Sequence, residues 1–363
     1  MMRHRLLGGS GLRVSEMCLG TMVFGEPSWG CSRDESERIL QCFVEAGGNF
    51  LDTADFYAGG RSEQFLGEML ANDRDRFVVG TKYSLTRDSS DPNAAGNHRK
   101  NLMRAVEASL VRLQTDYIDV LWVHQWDFFT PVTEVLRALD DLVRAGKVLY
   151  LGLSDTPAWV VARANTLAEE RNWTPFVATQ LEYSLVERTI EREFVPMCQM
   201  LDIAITAWSP LAGGVLSGKY SDGIPAGSRF GQRAPSERQL EIARAAATVA
   251  ADLDTTTAAV ALAWVRSRPG VVIPIVGART EAQLKENLEA LTVTLSDDHM
   301  ARLDAASAID AGFPARMLGR LRSTPMVWGN SLIAVDNHRV ERSGLPIDVQ
   351  VAESRAVARR SVS

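Results

Sequence analysis

The feature that most constrains this chain is its alternation. Short apolar runs rich in β-formers recur along the sequence, and an amphipathic helical segment follows nearly every one. The runs are Met17–Leu19, Asn49–Asp52, Phe77–Thr81, Tyr117–Val123, Val148–Leu153, Val177–Gln180, Ile203–Ala207 and Val271–Ile275. The helical segments are Arg33–Ala46, Ser62–Ala71, Arg99–Leu113, Thr133–Ala145, Pro157–Arg171, Ile190–Leu201, a long pair within Ser236–Arg268, and Glu281–Leu291. Parallel strands need crossovers about as long as a helix, so this order dictates a parallel sheet with helices outside it. Eight such units predict an α/β fold of the (β/α)8 TIM-barrel type rather than a doubly wound sheet. A doubly wound nucleotide domain would carry G-x-G-x-x-G after its first strand, and no strand here is followed by that spacing. The glycines of LGGSGL precede the first barrel strand and suit the turn of an N-terminal hairpin over the barrel bottom.

The 363 residues are 46% hydrophobic and 23% charged, enough for a large core. The barrel is expected over residues 1–310, a C-terminal lid over 311–340, and a flexible tail over 341–363, where large apolar residues thin out. Phe313–Asn330 is apolar enough to fold over the barrel mouth or to form an oligomer contact. A net charge of −6 argues against a duplex nucleic-acid partner. The N-terminus lacks an apolar run long enough for a signal peptide, and Asp252 and Asp254 interrupt the Ala-rich stretch 243–263, so a cytoplasmic, non-membrane protein is expected. The four cysteines show no C-x-x-C pairing and no zinc-type spacing with histidine, so no metal is expected and the thiols read as reduced. His4, His98, His299 and His338 lie in polar surroundings and read as solvated.

Active sites of such barrels are built at the C-terminal strand ends. Strand two ends in Asp52, with Tyr57 just beyond; strand three ends in Lys82; strand four ends in His124. Each alone is weak evidence. An Asp, a Lys and a His delivered to one rim by consecutive strands, beside a Tyr, suit one chemistry. A phenol is a poor proton donor at neutral pH, and a neighbouring ammonium draws its pKa down. A carboxylate keeps that ammonium charged, and an imidazole can hydrogen-bond a substrate oxygen. These four residues read as a general acid, Tyr57, supported by Lys82, Asp52 and His124, acting on a carbonyl that accepts hydride.

The segments LDTADFY, GTK and WVH resemble the catalytic tetrad of the aldo-keto reductase superfamily, in the branch of bacterial NADPH-dependent reductases and potassium-channel β subunits. The resemblance runs from CLGTMVFG through HQWD, GLSD, TQLEYSL and AWSPLAGGVLSGKY to IPIVGARTEAQLKENL, that is, from Cys18 to Leu288. It implies NADPH bound across the barrel without a Rossmann domain, which fits the missing glycine fingerprint. By the resemblance, Gly20, Thr21 and Asp52 lie near the nicotinamide, Ser154 and Gln180 bond its carboxamide, and Trp208 stacks on the ring. Ser209, Leu211, Gly213 and Lys219 would wrap the pyrophosphate. Gly277, Arg279, Gln283, Glu286 and Asn287 resemble the adenosine-phosphate site, with Arg279 beside the start of a helix capped by Thr280. Asp155 departs from the pattern, which usually has asparagine there. It only accepts when ionised, so it cannot donate to the carboxamide as an asparagine amide would.

The implied activity is NADPH-dependent reduction of an aldehyde or ketone to an alcohol. Tyr57 and His124 would face the substrate, with Phe24, Trp29 and Trp126 as pocket walls. A ring ketone, a sugar-like carbonyl or an aromatic aldehyde would fit, and the oligomeric state is not encoded in any readable way. The alternative is a non-enzymatic, nucleotide-responsive binding partner of the channel β-subunit type, since those proteins keep the same tetrad. A start only a few residues before the first turn makes that the minor reading.

Overall fold

The computed structural model describes residues 2–219, 234–322 and 326. Eight strands close into a parallel barrel: β3 (Cys18–Gly20), β4 (Phe50–Asp52), β5 (Val78–Tyr83), β6 (Ile118–Val123), β7 (Val148–Ser154), β8 (Phe176–Glu182), β9 (Ala204–Trp208) and β10 (Val272–Val276), with β10 pairing β3. Before them, β1 (His4–Leu6) and β2 (Arg13–Ser15) form an antiparallel hairpin. Its Leu7 and Val14 pack into the barrel interior, and Gly8 lies against backbone at Val177, Asp202 and Ala204, where β8 and β9 begin. The hairpin therefore plugs the bottom, as its turn-rich sequence predicts.

The helices are α1 (Arg33–Glu45), α2 (Arg61–Leu70), α3 (Arg99–Leu113), α4 (Val132–Arg144), α5 (Ala158–Arg171), α6 (Phe194–Leu201), α7 (Glu237–Asp252), α8 (Thr257–Arg266), α9 (Glu281–Leu288), α10 (Asp297–Ala306) and α11 (Ala315–Arg322). Most boundaries fall within two residues of the expected ones, and Ser32 and Thr280 cap α1 and α9 through their hydroxyls. The segment expected as one helix over 190–201 is instead a 3₁₀ turn, Thr189–Glu191, followed by α6. Pro196 is the cause. It has no N–H and its ring excludes a preceding full turn, so it sits within the first turn of a helix that starts late. His98 and His299 are not simply solvated. His98 Nδ1 accepts from the Asn101 amide and caps α3, while His299 closes a capping box with Ser296. His4 is exposed, and His338 lies outside the described residues. All four cysteines are free and buried.

Two layers of apolar side chains hold the barrel. The larger lies between strands and helices; the smaller fills the interior with Cys18, Phe50, Val78, Val120, Trp122, Ala178, Ala204 and Ile273 among others. Side chains alternate faces along a strand, so the residues two positions after this interior layer also point inward, one level nearer the C-terminal mouth. From Phe50 that residue is Asp52; from Trp122, His124; from Ala178, Gln180. The same period places Lys82, Ser154 and Trp208 on the inner face. The polar site thus begins where the apolar filling ends.

Trp122 sets the height of that boundary. It has no exposed surface and registers against Lys82 on one side and Gly152 on the other. A Cβ on Gly152 would stand 2.2 Å from Trp122 Cε3, and one on Gly80 2.7 Å from its Nε1. Both glycines are there because an indole occupies the space a side chain would need. Gly152→Ala should therefore destabilise the fold by about 3 kcal/mol, the upper range for overpacking a rigid core. Urea unfolding measures this, and an alanine variant as stable as the parent would show that the indole is not held there.

Candidate active site

Lys82 organises the mouth. Its ammonium is buried and donates to three acceptors: Asp52 Oδ2 at 2.6 Å, the Thr53 carbonyl at 2.7 Å and the Tyr57 hydroxyl at 3.0 Å. An ammonium has three N–H donors, so all are spent. Burial lowers the Lys82 pKa, but the Asp52 charge, the Tyr57 oxygen and these hydrogen bonds more than reverse it, and the net shift is upward. Lys82 is thus a fixed cation in a dry place. Asp52 is held in turn, because its second oxygen, Oδ1, accepts from Gln180 Nε2 at 2.9 Å.

Because the Tyr57 oxygen accepts from Lys82, its own O–H is left to donate elsewhere. Burial pushes the phenol pKa up, Lys82 pulls it down, and burial wins. The sequence expectation that Lys82 makes this phenol unusually acidic is therefore corrected: the ammonium's sign is as expected, but desolvation outweighs it. Tyr57 carries its proton at neutral pH and orients it through Lys82.

His124 stands beside it, edge-on to the phenol ring with centroids 6.0 Å apart. Burial, then the Lys82 charge, push its pKa down to about 3, so the ring is neutral at physiological pH. A neutral imidazole can donate or accept one hydrogen bond at each nitrogen, and Nδ1 is buried without a partner among the described residues. The four expected residues are brought together.

Tyr57 is not in an open loop. It begins a 3₁₀ turn, Tyr57–Gly60, in which Ala58, Gly59 and Gly60 all take left-handed backbone (φ 49°, 66° and 94°). Arg87, from the β5–α3 connection, straddles this turn, donating to the Asp55 carbonyl and, at 3.1 Å, to the Gly59 carbonyl. Beneath it lies a second buried polar group. Glu63 accepts from Thr81 Oγ1 and from Arg112 Nε, both at 2.6 Å, and the nearby Asp55 has one oxygen, Oδ1, with no partner. Nothing local in the sequence marked Arg87, Asp55 or Glu63, since their partners lie on other units.

The residues expected around a nicotinamide are mixed in their placement. Gly20 ends β3, and a Cβ there would be 2.8 Å from Ile275 Cγ2. Thr21 is fully buried and spends its hydroxyl on the Asp52 carbonyl and Ser62, so it ties β3 to β4. Ser154 and Gln180 are paired across β7 and β8 at the inner face. Gln180 gives its amide to Asp52, leaving its carbonyl as the side available to another group. Trp208 ends β9 half-buried, and its indole N–H donates to Asp155 Oδ1 at 3.1 Å.

Beyond Trp208 the chain makes a run of left-handed residues, Ser209, Ala212, Gly213, Gly214 and Gly218, in the segment that contains Leu211. Successive turns of this kind aim backbone amides at one side, the geometry that cradles anions. A Cβ on Gly214 would be 2.5 Å from Lys219 Nζ, so the glycine lets that ammonium fold back over the loop. Arg229 and Arg233, in the same long connection, lie outside the described residues. At α9 the picture is partly corrected. The Glu281 amide donates to Glu35 Oε1 and the Arg279 amide to Gln283 Oε1, so these amides are already used. The exposed Arg279 side chain, not bare helix amides, is what this end offers a phosphate. Gly277 and Glu286 are exposed nearby, and Asn287 is buried.

Of the expected pocket walls, Phe24 has no accessible surface and packs in the outer core, so it does not face an open pocket. Trp126 is buried and Trp29 is partly exposed. Phe128 and Phe129, at 70% and 94% exposure, project from the loop after β6. Of the segment expected as a C-terminal lid only 311–322 and 326 are described, with Phe313, Met317 and Leu318 exposed there, and the tail expected over 341–363 lies outside the described residues. Among the described residues no helix is long and apolar enough to cross a membrane, and no group of three or more His, Cys, Asp or Glu is placed to hold a metal.

A buried Asp–Lys–Tyr chain stands at the C-terminal mouth of a (β/α)8 barrel with a neutral histidine beside the phenol, an arrangement with the groups needed to move a proton at an oxygen atom. Residues 16–308 match the Aldo/keto reductase family, and the chain belongs to it. It is 41% identical to a norsolorinic acid reductase of Aspergillus flavus, over 87% of this chain and 84% of that one. It is 34% identical to a putative aryl-alcohol dehydrogenase of Saccharomyces cerevisiae, over 90% of this chain and 94% of the other. An aryl-alcohol dehydrogenase [NADP(+)] of Phanerodontia chrysosporium is 37% identical, with 87% and 89% covered. The chain is thus an oxidoreductase of the aldo/keto reductase type; the narrower channel β-subunit branch is not what these relatives represent.

The lone Asp55 gives a test of this geometry. Burial, with Glu63 adding to it, pushes its carboxyl up to about 7. The folded protein therefore holds a proton that the unfolded chain releases near pH 4. Stability from this group is full below that pH and lost as the pH rises through about 7. Asp55→Asn removes the loss, so the variant should gain about 1–3 kcal/mol over the parent between pH 5 and 8. Urea unfolding at both values decides it, and a difference that does not change with pH would contradict the placement.

Proposed function

We propose that the protein is an NADP(H)-dependent oxidoreductase that interconverts an aromatic aldehyde or ketone and its alcohol. Tyr57 acts as the acid at the carbonyl oxygen. The observation that carries this reading is the complete use of Lys82's three donors on Asp52, Thr53 and Tyr57. That arrangement leaves a protonated phenol with a single open direction in which to give its proton.

The residues present suit a dinucleotide. The glycine-rich turn after β9, with Lys219 folded over Gly214, suits a pyrophosphate. Ser209, Leu211 and Gly213 belong to that segment. At its two ends, Ser154, Gln180 and Trp208 would hold the nicotinamide beside Gly20, while Arg279, with Gln283, Glu286 and Asn287, would hold the adenosine phosphate near Gly277. When bound, the reduced nicotinamide supplies the hydride.

The chain's own residues do the rest. His124, neutral and flanking Tyr57, donates a hydrogen bond to the carbonyl oxygen and fixes which face of the carbonyl is presented. Tyr57 transfers its proton to that oxygen as negative charge develops there. Lys82 stabilises the phenolate left behind, and Asp52, anchored by Gln180, keeps Lys82 from drifting. In the alcohol-oxidising direction the same phenolate takes the proton back.

The names of the relatives support an aromatic substrate, and Trp29 with Phe128 and Phe129 offers exposed rings on mouth-side loops. Trp126, the remaining expected wall, is buried in the same core cluster as Phe24 and adds no exposed ring. NADPH oxidation measured against aryl aldehydes tests the reading. Tyr57→Phe should lower turnover about 10³-fold, the scale of general-acid loss, while NADPH still binds. A phenylalanine variant that turns over like the parent would sink the assignment of Tyr57.

A further inference from the structure

Asp155 follows Ser154 at the end of β7 in left-handed backbone (φ 41°), and its amide donates to the Gln180 carbonyl at 3.2 Å. Its side chain reaches across the end of β8 to accept the Trp208 indole N–H at the end of β9. Glu182, the last residue of β8, registers directly against Trp208. Three neighbouring strand ends thus bring together an indole, a carboxylate on its N–H and a second acidic residue at the register position beside it. Neither Asp155 nor Glu182 forms a salt bridge among the described residues. Asp155 is exposed at the mouth; burial nonetheless pushes its carboxyl up, opposed by the Trp208 N–H and by the Lys82 charge. Glu182 is likewise pushed up, by burial, by Glu187 and by Asp155 itself. The field of Asp155 also reaches Tyr57.

The two forms of a nicotinamide differ by one positive charge on the ring. A fixed negative charge beside the ring lowers the energy of the oxidised form and leaves the reduced form nearly unaffected. An indole binds a cation through its face, and a carboxylate on its N–H holds that face in one orientation. We propose that Asp155, directly and through Trp208, makes this site bind the oxidised nicotinamide in preference to the reduced one. The inference rests on the reading of this mouth as a nicotinamide site. Asparagine at this position would keep an acceptor for the indole N–H and lose only the charge, which is why a single substitution separates the two effects.

The experiment titrates the full-length protein with NADP+ and with NADPH separately, following binding by calorimetry, for the parent, Asp155→Asn and Glu182→Gln. In Asp155→Asn the Kd for NADP+ should rise about fivefold, as expected of one partly exposed charge, while that for NADPH moves less than about twofold. Glu182→Gln should move the ratio in the same sense. Equal changes for both forms in Asp155→Asn, or an unchanged ratio in that variant whatever Glu182→Gln does, would overturn the proposal while leaving the oxidoreductase reading in place. A parent protein that binds neither form would overturn both.

Discussion

Everything at the mouth of this barrel depends on one buried ammonium. Lys82 lies where water cannot compensate its charge, so its three donors must all find acceptors. The fold supplies them from β4 and the turn after it: Asp52, the Thr53 carbonyl and the Tyr57 hydroxyl. The requirement then propagates. Asp52 needs a second donor and takes it from Gln180, four strands further round, while the Tyr57 turn is straddled by Arg87. The geometry of the proposed catalytic residues follows from satisfying a desolvated cation.

The barrel makes this possible by dividing its interior into levels. Below, Trp122 fills the space opened by Gly80 and Gly152 and keeps the filling dry. Above, the next inward positions carry Asp52, Lys82, His124, Ser154, Gln180 and Trp208. The same dryness that costs Lys82 its hydration pushes His124 down and Tyr57 up, leaving a neutral imidazole and a protonated phenol side by side. Both are in the protonation state that the proposed carbonyl reduction would require of them.

The barrel and its four central residues were legible in the sequence because both are written locally. Strand-helix alternation and a polar residue at a strand end need no knowledge of distant contacts. What was not legible is the pairing between units. Gln180 read as a ligand for the cofactor, yet its amide is spent on Asp52; Asp155 read as a departure from pattern, yet it holds Trp208. Phe24 read as a pocket wall by its place near the rim, but it has no accessible surface and packs in the larger core cluster. The sign of the net shift on Tyr57 also lay beyond sequence, because it is a contest between burial and one charge. The break in the 190–201 segment has a local mark in Pro196, which belongs in the first turn of a helix rather than in its interior.

The most direct test of the account replaces Lys82 with methionine, which keeps the length of the chain and removes the charge. NADPH oxidation with an aryl aldehyde should fall at least about 10³-fold, since both the orientation and the stabilisation of Tyr57 are lost. NADPH binding, measured on the same sample, should remain and show that the barrel is intact. A methionine variant that binds NADPH and turns over at the parent's rate would contradict the claim that this ammonium organises the site.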